Sequence, residues 1–445
     1  MAFSGLDIYK LLPKTNCKDC GFATCLAMAI ALAQKKISLE KCPHISAEAK
    51  EALASASEPP IKLVTIGAGN SKLEIGNETV MYRHEQKFYH PTVIGFLIED
   101  SMDEESLGKA VAGIKALKFE RVGQQIGADL ICIKNSSGYR NKFLTAVRIA
   151  EAMSDLAIAL YSSDDQSTLE AIKICKERRP LIICGEEKSQ EAFIKLAAEN
   201  NLPLGLTCAG IEEAALATAK AKAGGVNEIV INLQEATPSK RIQDYTYMRR
   251  LALKKNFRPL GYPIIAFTGN PDPGLELAEA VSYMAKYAGI VIMKNTDKEY
   301  VYPLLVARQD LFQDPQKPAQ VEPKVYEIGK VTKDSPVLIT TNFSITYFTV
   351  ASEVESSKVP SYIVCCDAEG MSVLTAWAAD KFTAGTITDI LKSCGIEKMV
   401  SHRKLIIPGY VAVLSGKLEE ASGWTVSVGP REASGIINYL KNWNT

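Results

Sequence analysis

Short apolar runs alternate with longer amphipathic segments through the middle of the chain. After Pro91 the runs lie at residues 93–98, 130–134, 156–161, 181–185, 203–207, 228–233, 263–268 and 290–294. Runs that are apolar on both faces predict parallel strands, and the intervening segments, with apolar residues three and four apart, predict helices. Eight such units predict a closed (β/α)8 TIM barrel, and an open sheet is the alternative.

A second strand–helix alternation follows a polar, proline-containing stretch at residues 309–336. Each of its strand-like runs precedes a segment able to form a helix; the runs lie at 337–341, 361–367, 404–408 and 424–429. This pattern predicts a four-strand, doubly wound, Rossmann-like domain, in which ligands bind outside the carboxyl ends of the strands. Such an edge suits a large flat ligand with amide arms, and it suits a nucleotide equally well.

Two short helices are predicted ahead of the barrel, at residues 25–36 and 46–57, with Thr24 and Ser46 as their N-caps. Glu58-Pro59-Pro60 then interrupts the pattern and indicates a boundary. The predicted fold is therefore α/β, with a small helical module in front of the barrel and a Rossmann-like domain behind it.

The start of the barrel segment carries two further strand-like runs, at residues 61–66 and 78–84, which predict a hairpin. With this hairpin assigned to the barrel, the predicted organisation has four parts. They are an N-terminal module at 1–58, a barrel at 59–310, a linker at 311–336 and a C-terminal domain at 337–445.

Composition excludes several classes of protein. The 445-residue chain is 47% hydrophobic and 23% charged, as globular proteins are. It has 51 basic and 51 acidic residues, so nucleic acid is not an expected partner. The longest apolar runs, about ten residues, are too short to span a bilayer. No basic and then apolar leader follows Met1, so we expect a cytoplasmic protein with no membrane partner.

The cysteines supply the most specific motif. Eleven cysteines without a secretion leader indicate a reducing compartment, where clustered cysteines bind metal more often than they form disulfides. Four of them form the pattern C-x2-C-x4-C-x16-C-P, namely Cys17, Cys20, Cys25 and Cys42. A single C-x2-C pair is unlike most structural zinc sites, and the C-P ending is ferredoxin-like. We expect a [4Fe–4S] cluster here, with zinc or unligated thiols as alternatives.

The predicted barrel offers no recognisable catalytic set. Its strand ends hold several acidic residues, among them Asp100 and Asp164, but no Ser/His/Asp combination and no paired-histidine motif. None of the four histidines in the chain falls at a predicted barrel strand end. We interpret the acidic residues as solvated loop caps and assign no catalytic residue.

The opening S-G-L-D-I-Y-K-L-L-P-K-T-N-C-K-D-C-G-F-A-T-C-L-A-M-A, with Cys42-Pro43 after it, resembles a known family. It is similar to the large (gamma) subunit of the corrinoid iron–sulfur protein of the acetyl-CoA (Wood–Ljungdahl) pathway. The order of cluster module, barrel, linker and α/β domain also matches, as do E-G-M-S-V and G-P-R-E-A in the C-terminal domain. The resemblance covers essentially the whole chain.

The resemblance implies a methyl-group carrier. Corrinoid cobalt would take a methyl group from methyltetrahydrofolate through a separate methyltransferase and deliver it to acetyl-CoA synthase/CO dehydrogenase. The implied partners are a homologous small subunit, which completes a heterodimer, those two enzymes, and an electron donor such as ferredoxin. Two alternatives stay open: the barrel itself is a pterin-dependent cobalt methyltransferase, or the chain is a ferredoxin-like electron-transfer subunit without corrinoid.

The residues suit such a corrinoid (cobamide) in one respect. No histidine lies in a D-x-H-x-x-G motif, since His402 occurs in V-S-H-R-K, so the cobalt is expected to lack a protein histidine ligand. Fewer axial donors favour Co(I), and a cluster on the same chain offers a route for reducing Co(II) back to it.

We expect the corrinoid on the strand-end loops of the C-terminal domain. The predicted contacts are Thr340, Thr346, Gly370, Met371, Ser372, Val373, Gly429, Arg431 and Ala433. Because the cobalt would face several partners in turn, the stretches at 309–336 and 58–60 are predicted to be mobile links.

Overall fold

The structure is a computed structural model that describes residues 5–33, 37, 41–46, 49, 59–121, 124–234, 237–316 and 318–443. Most of the helix predicted at 46–57 lies outside these residues. Ser46 nevertheless behaves as predicted, because its Oγ accepts the Ala49 N–H at 3.1 Å. The chain divides into two compact units: Met1–Lys118 with Gly127–Phe312, and Phe119–Ile126 with Gln313–Thr445.

The strands and helices are numbered in chain order. The strands are β1 Val64–Ile66, β2 Leu73–Ile75, β3 Val93–Glu99, β4 Lys118–Arg121, β5 Gln124–Gly127, β6 Leu130–Lys134, β7 Ala157–Ser162, β8 Leu181–Cys184, β9 Leu204–Cys208, β10 Ile229–Leu233, β11 Ile264–Phe267, β12 Ala288–Met293, β13 Val325–Ile328, β14 Val337–Thr341, β15 Ser361–Cys366, β16 Lys404–Ile407 and β17 Thr425–Val428. The helices are α1 Gly5–Leu11, α2 Cys25–Ala33, α3 Glu104–Lys115, α4 Arg140–Met153, α5 Asp165–Cys175, α6 Gln190–Asn200, α7 Ile211–Ala223, α8 Pro238–Lys254, α9 Pro273–Ala285, α10 Lys298–Leu311, α11 Ser344–Ser357, α12 Val373–Ala378, α13 Ala384–Ser393, α14 Ile396–Met399, α15 Ser415–Ser422 and α16 Ile436–Lys441.

Eight parallel strands of the first unit close into a barrel in the order β10-β11-β12-β3-β6-β7-β8-β9. All eight predicted runs form these strands, and helices between them cover the outside. The runs are apolar throughout because their residues are buried on both faces, as the uninterrupted burial of β8, β9 and β10 illustrates. The predicted barrel is confirmed, and the open-sheet alternative is excluded.

The hairpin ahead of the barrel is confirmed, but its predicted second strand is wrong. The strand is Leu73–Ile75, paired antiparallel with Val64–Ile66, and not residues 78–84. Ile75 joins the buried core at the amino-terminal end of the barrel. Gly76 follows the strand with a left-handed backbone (φ +85°), which does not continue an extended strand, and a Cβ there would lie 1.9 Å from the Lys62 carbonyl oxygen. The pairing thus stops before the predicted segment begins.

The C-terminal unit contains a five-stranded sheet in the order β13-β15-β14-β16-β17. The four predicted strands are its parallel members, and the predicted doubly wound arrangement is confirmed. The count of four is one too low, since β13 adds an antiparallel edge strand beside β15. This strand falls inside the stretch interpreted as a linker, and the Tyr326 ring that it carries packs 4.5 Å from the ring of Tyr347.

Candidate functional site

Three of the four N-terminal cysteines contact one small apolar core. Cys25 and Cys42 are buried in it beside Met28 and Ile45, and Cys20 packs against it from the side. Cys17 is exposed, and all four are free thiols. The fold therefore brings segments from both ends of the motif to a common core, and supplies four soft sulfur donors of the kind that iron–sulfur clusters use.

The start of α2 is held as the sequence predicts. Thr24 Oγ1 accepts the Ala27 N–H at 3.1 Å, and Cys25 is the first helical residue. Asn16, which has a left-handed backbone (φ +49°), adds a second cap by accepting the Cys25 N–H on its Oδ1 at 2.8 Å. A thiolate at this position lies near the positive end of the helix dipole. The described helix ends at Ala33, and residues 34–36 of the prediction lie outside the described chain.

Two residues of this module were not predicted as part of the site. His44 donates through Nε2 to Asp19 Oδ2 at 2.6 Å. Ligand atoms of Asp19, His44 and Cys17 lie within 4.8 Å of one another. The only available signal in the sequence is their position, inside C-K-D-C and directly after C-P.

The barrel cysteines differ sharply from this group. Cys132, Cys175, Cys184 and Cys208 are buried. Burial raises the pKa of the Cys184 thiol to about 11 and that of Cys175 to about 12. Thiols with pKa values this high are neutral and poor metal ligands near neutrality. These four cysteines are therefore small buried residues of the barrel.

A cavity of about 140 Å³ lies in the C-terminal unit, where β14, β16 and β17 end. Six of the nine predicted contact residues line it: Thr340, Thr346, Val373, Gly429, Arg431 and Ala433. The remaining lining residues, which the sequence analysis did not assign to the site, are Leu338, Ile339, Val350, Ile406, Ile407, Pro408, Tyr410, Pro430 and Ile436. The carboxyl ends of parallel strands meet here, which explains why positions far apart in sequence converge.

The other three predicted residues do not line this cavity. Gly370 (φ +73°) faces the chain before β13, where a Cβ would lie 2.7 Å from Gln320 Cγ. Met371 packs against the apolar core of the C-terminal unit. Ser372 directly precedes α12, and its Oγ lies 2.9 Å from Thr375 Oγ1.

Thr340 carries the most informative polar atom of the cavity. The residue is buried, and its Oγ1 has no hydrogen-bond partner among the described residues. A hydroxyl buried without a partner destabilises a protein by roughly 1–3 kcal/mol. Because Thr340 lines the cavity, a ligand there could supply the missing partner.

Apolar side chains around this cavity are exposed. In the described part of the C-terminal unit, the large exposed apolar residues are Ile345, Phe348, Leu374, Trp377, Tyr410, Val413 and Val428. Each lies at the carboxyl end of a parallel strand or in the segment that follows it. We call these seven residues the apolar rim. Exposed apolar residues gathered at one edge indicate a binding surface.

The rim next to the cavity is held by backbone contacts. The N–H of Gly409 donates to Pro430 O at 3.0 Å, and the N–H of Gly429 donates to Ile407 O at 2.9 Å. A Cβ at Gly409 would lie 2.6 Å from the Gly429 carbonyl oxygen. Tyr410 OH donates to Glu432 Oε1 at 2.6 Å across the same two loops. These contacts fix the loops after β16 and β17 against each other.

The acidic strand ends of the barrel are occupied in local hydrogen bonds. Asp100 Oδ1 accepts the N–H groups of Ser136 and Ser137, each at 2.8 Å. Asp164 accepts the N–H groups of Gln166 and Ser167 at the start of α5. Asp164 is an exposed cap, as predicted. Asp100 is buried, so its interpretation as a solvated residue is wrong.

The single histidine of the C-terminal unit, His402, lies away from the cavity. It precedes β16 at the amino end of the sheet, donates through Nε2 to Ser335 O at 3.0 Å, and accepts the Lys404 N–H on Nδ1 at 3.1 Å. Its ring nitrogens are therefore both engaged.

Among the described helices of the whole chain, none combines the length and apolar character that a bilayer crossing requires.

Comparison with known proteins identifies two sequence families. The family described as "CO dehydrogenase/acetyl-CoA synthase delta subunit" matches residues 63–440. A family described as "Putative Fe-S cluster" matches residues 12–44, which contain all four N-terminal cysteines.

Full-length relatives agree with this result. The corrinoid/iron-sulfur protein large subunit of Moorella thermoacetica is 44% identical and covers 99% of both chains. The acetyl-CoA decarbonylase/synthase complex subunit gamma of Methanothermobacter thermautotrophicus is 34% identical and also covers 99% of both. A solved dihydropteroate synthase of Xanthomonas albilineans covers 56% of this chain and 98% of its own, at 14% identity and a TM-score of 0.40, and supports no functional inference. The chain belongs to the family of corrinoid/iron–sulfur protein large subunits of the acetyl-CoA pathway.

Proposed function

We propose that this chain is a methyl-group carrier. Its corrinoid cobalt accepts a methyl group from methyltetrahydrofolate through a methyltransferase and passes it to acetyl-CoA synthase, while a [4Fe–4S] cluster on the same chain reduces Co(II) to Co(I). The apolar rim at the carboxyl edge of the C-terminal sheet is the observation that carries this proposal.

The rim has the chemistry that a corrin ring needs from a protein. A cavity of about 140 Å³ is too small for the whole macrocycle, so the ring lies over the rim and only an arm of the ligand enters. Ile345 and Val413, each 68% exposed, offer apolar contact for a flat ring. Burying such side chains contributes about 25 cal/mol per Å² of apolar surface.

Polar groups at the cavity suit the amide arms of a corrinoid. Thr340 Oγ1 can donate to an amide oxygen, and Arg431 brings a cation to the cavity wall. His402 lies at the opposite end of its strand, so the ring is held without a histidine ligand from this unit. The other predicted contacts, Gly370, Met371 and Ser372, are assigned to the region beside the cavity.

The N-terminal module is proposed to hold the cluster through the four thiolates. Their common core, the helix start at Cys25 and the match of residues 12–44 to an Fe-S family support this assignment. The proposed partners are a small subunit, the methyltransferase, acetyl-CoA synthase/CO dehydrogenase and a ferredoxin-type electron donor. The names of the relatives, which include a complex subunit gamma, support the first and third of these.

Metal counts and a visible spectrum of the full-length chain, reconstituted with corrinoid and iron–sulfur cluster, test the proposal. We expect corrinoid bands, one cobalt per chain and four iron atoms per chain. Zinc in place of iron would refute the cluster, and iron without cobalt would favour the electron-transfer alternative. Methylation of the chain by free methyltetrahydrofolate, without a methyltransferase, would favour the alternative in which the barrel is the enzyme.

A matched pair of variants tests the location of the ring. Val413→Asp places a charge on the rim, whereas Leu216→Asp places one on a barrel helix at a residue that is 75% exposed. We expect cobalt content to fall in the first variant and to stay at the wild-type level in the second. Equal cobalt content in both variants would refute the placement on the rim.

A further inference from the structure

The cysteine module has to bring together thiols from three segments of chain. Cys17 and Cys20 lie in the loop before α2, Cys25 begins that helix, and Cys42 lies in a separate stretch after it. Packing locates Cys20, Cys25 and Cys42 against the common core. Cys17 is exposed, so apolar packing does not determine where its Sγ lies.

The loop that carries Cys17 is not held by a regular backbone ladder. Lys14, Asn16 and Lys18 all have left-handed backbones, with φ values of +60°, +49° and +68°. Non-glycine residues in this region are strained and persist only when the surroundings hold them. Asn16 is tied to α2 through the Cys25 N–H, which fixes one side of the loop.

The Asp19–His44 hydrogen bond fixes the other side. It joins the turn between Cys17 and Cys20 to the residue two positions after Cys42, at 2.6 Å between Nε2 and Oδ2. Cys17 Sγ lies within 4.8 Å of both partners. We propose that Asp19 and His44 are positioning residues, which hold the first cysteine loop against the last ligand segment so that the four thiols converge on the cluster.

This inference rests on the proposed cluster, and it makes no use of either residue as a ligand. Both side chains are about half exposed, so the pair acts through geometry and not through burial of charge. Loss of the hydrogen bond leaves four thiolates in place but lets the Cys17 loop open. The cluster should then still form, but it should release its iron faster.

The experiment measures iron release from the reconstituted full-length protein to a ferrous chelator. We expect His44→Ala and Asp19→Ala each to speed release about two- to fivefold, because a solvent-exposed hydrogen bond between these side chains is lost. The double variant should release iron no faster than either single variant, because the two changes remove one interaction. His84→Ala, at an exposed histidine outside the module, is the control and should match the wild type.

His44→Gln separates positioning from metal ligation. The glutamine amide can still donate to Asp19, so this variant should recover slow release and the wild-type EPR spectrum of the reduced cluster. If His44→Gln loses iron as readily as His44→Ala, or if all four variants match the wild type, the positioning role is overturned. Failure of the cluster assignment is recognised separately, since Cys20→Ala would then keep its full iron content.

Discussion

Thr340 and Thr341 are neighbours in β14, both are buried, and both hydroxyls lack a partner among the described residues. They point to opposite faces of the sheet, since successive residues of a strand alternate. Only Thr340 lines the cavity. Thr340 thus faces the cavity and Thr341 does not, so variants of the two residues can distinguish an effect on ligand binding from an effect on stability.

We predict that Thr340→Val and Thr341→Val each stabilise the ligand-free protein by about 1 kcal/mol, because each removes an unpartnered buried hydroxyl. Only Thr340→Val should weaken corrinoid binding, by about tenfold for one lost hydrogen bond. Thermal unfolding and a corrinoid titration followed by absorbance measure the two effects. Equal weakening by both variants would argue against a contact between Thr340 and the ligand.

The thiols lead to a second prediction at the scale of residues. Cys20→Ala should lose or degrade the iron centre and abolish recovery from Co(II), while methyl transfer from pre-reduced protein continues. Cys394→Ala is the matched control, because Cys394 is a partly buried free cysteine outside the N-terminal module. Iron analysis and a reductive reactivation assay decide the outcome. Recovery of the Cys20 variant with its normal electron donor would refute the activation role.

Among the structural elements, the loops after β16 and β17 position the cavity wall most directly. Gly409 sits where the two loops touch, and its position leaves no room for a side chain. Gly416 lies seven residues later at the start of α15, where an added Cβ would meet no atom within 4 Å, and so provides a neutral comparison. The pair distinguishes an effect of the loop contact from a general effect of replacing glycine.

We predict that Gly409→Ala destabilises the C-terminal unit by about 1–3 kcal/mol, since the added carbon forces the two loops apart. Corrinoid affinity should fall with it, because Gly429 and Arg431 line the cavity on the displaced loop. Gly416→Ala should leave stability unchanged or slightly raised. Differential scanning calorimetry measures the unfolding temperature of each variant. Equal transition temperatures for the two variants would contradict the prediction.

At the scale of the whole molecule, the hairpin β4–β5 shows that the C-terminal unit includes a segment from within the barrel region of the sequence. Residues 119–126 belong to the C-terminal unit, although the chain on both sides of them belongs to the unit that contains the barrel. Glu120, Gln124 and Gln125 share a polar recess of about 450 Å³ with Glu322 and Lys324. We propose that the C-terminal domain moves on the stretch at 309–336. In such a movement the hairpin either moves with the C-terminal domain or loses its contacts with it.

Replacing residues 119–126 with two glycines should expose the recess around Glu322 and Lys324. We predict faster thermolysin cleavage between residues 313 and 328, because β13 is an edge strand paired on one side only. Mass spectrometry of the fragments measures the site and rate. Cleavage within the barrel serves as the internal control and should keep its rate. An unchanged pattern would mean that the hairpin does not protect the C-terminal unit.

Much of the fold was accessible from the sequence because buried parallel strands are apolar throughout. That signal found all eight barrel strands and the four parallel strands of the C-terminal sheet. It failed for β2, β4, β5 and β13, which are short, lie in two-stranded pairs or at a sheet edge, and are only partly apolar. Arg249 lies in a basic run at residues 249–258, a pattern that predicts a solvated helix face. The structure instead buries its side chain, which is 4% exposed and paired with Glu78.

The sequence alone determined the order of modules, the barrel, the four-cysteine motif and the family. Each of these can be recognised from the local spacing of residues or from a run of apolar residues. Only the tertiary structure decided which strand-end residues share the cavity, which apolar side chains form the rim, and that Asp19 meets His44. These features join positions tens of residues apart. Their proximity follows from strand pairing and core packing over the whole unit, which no local pattern records.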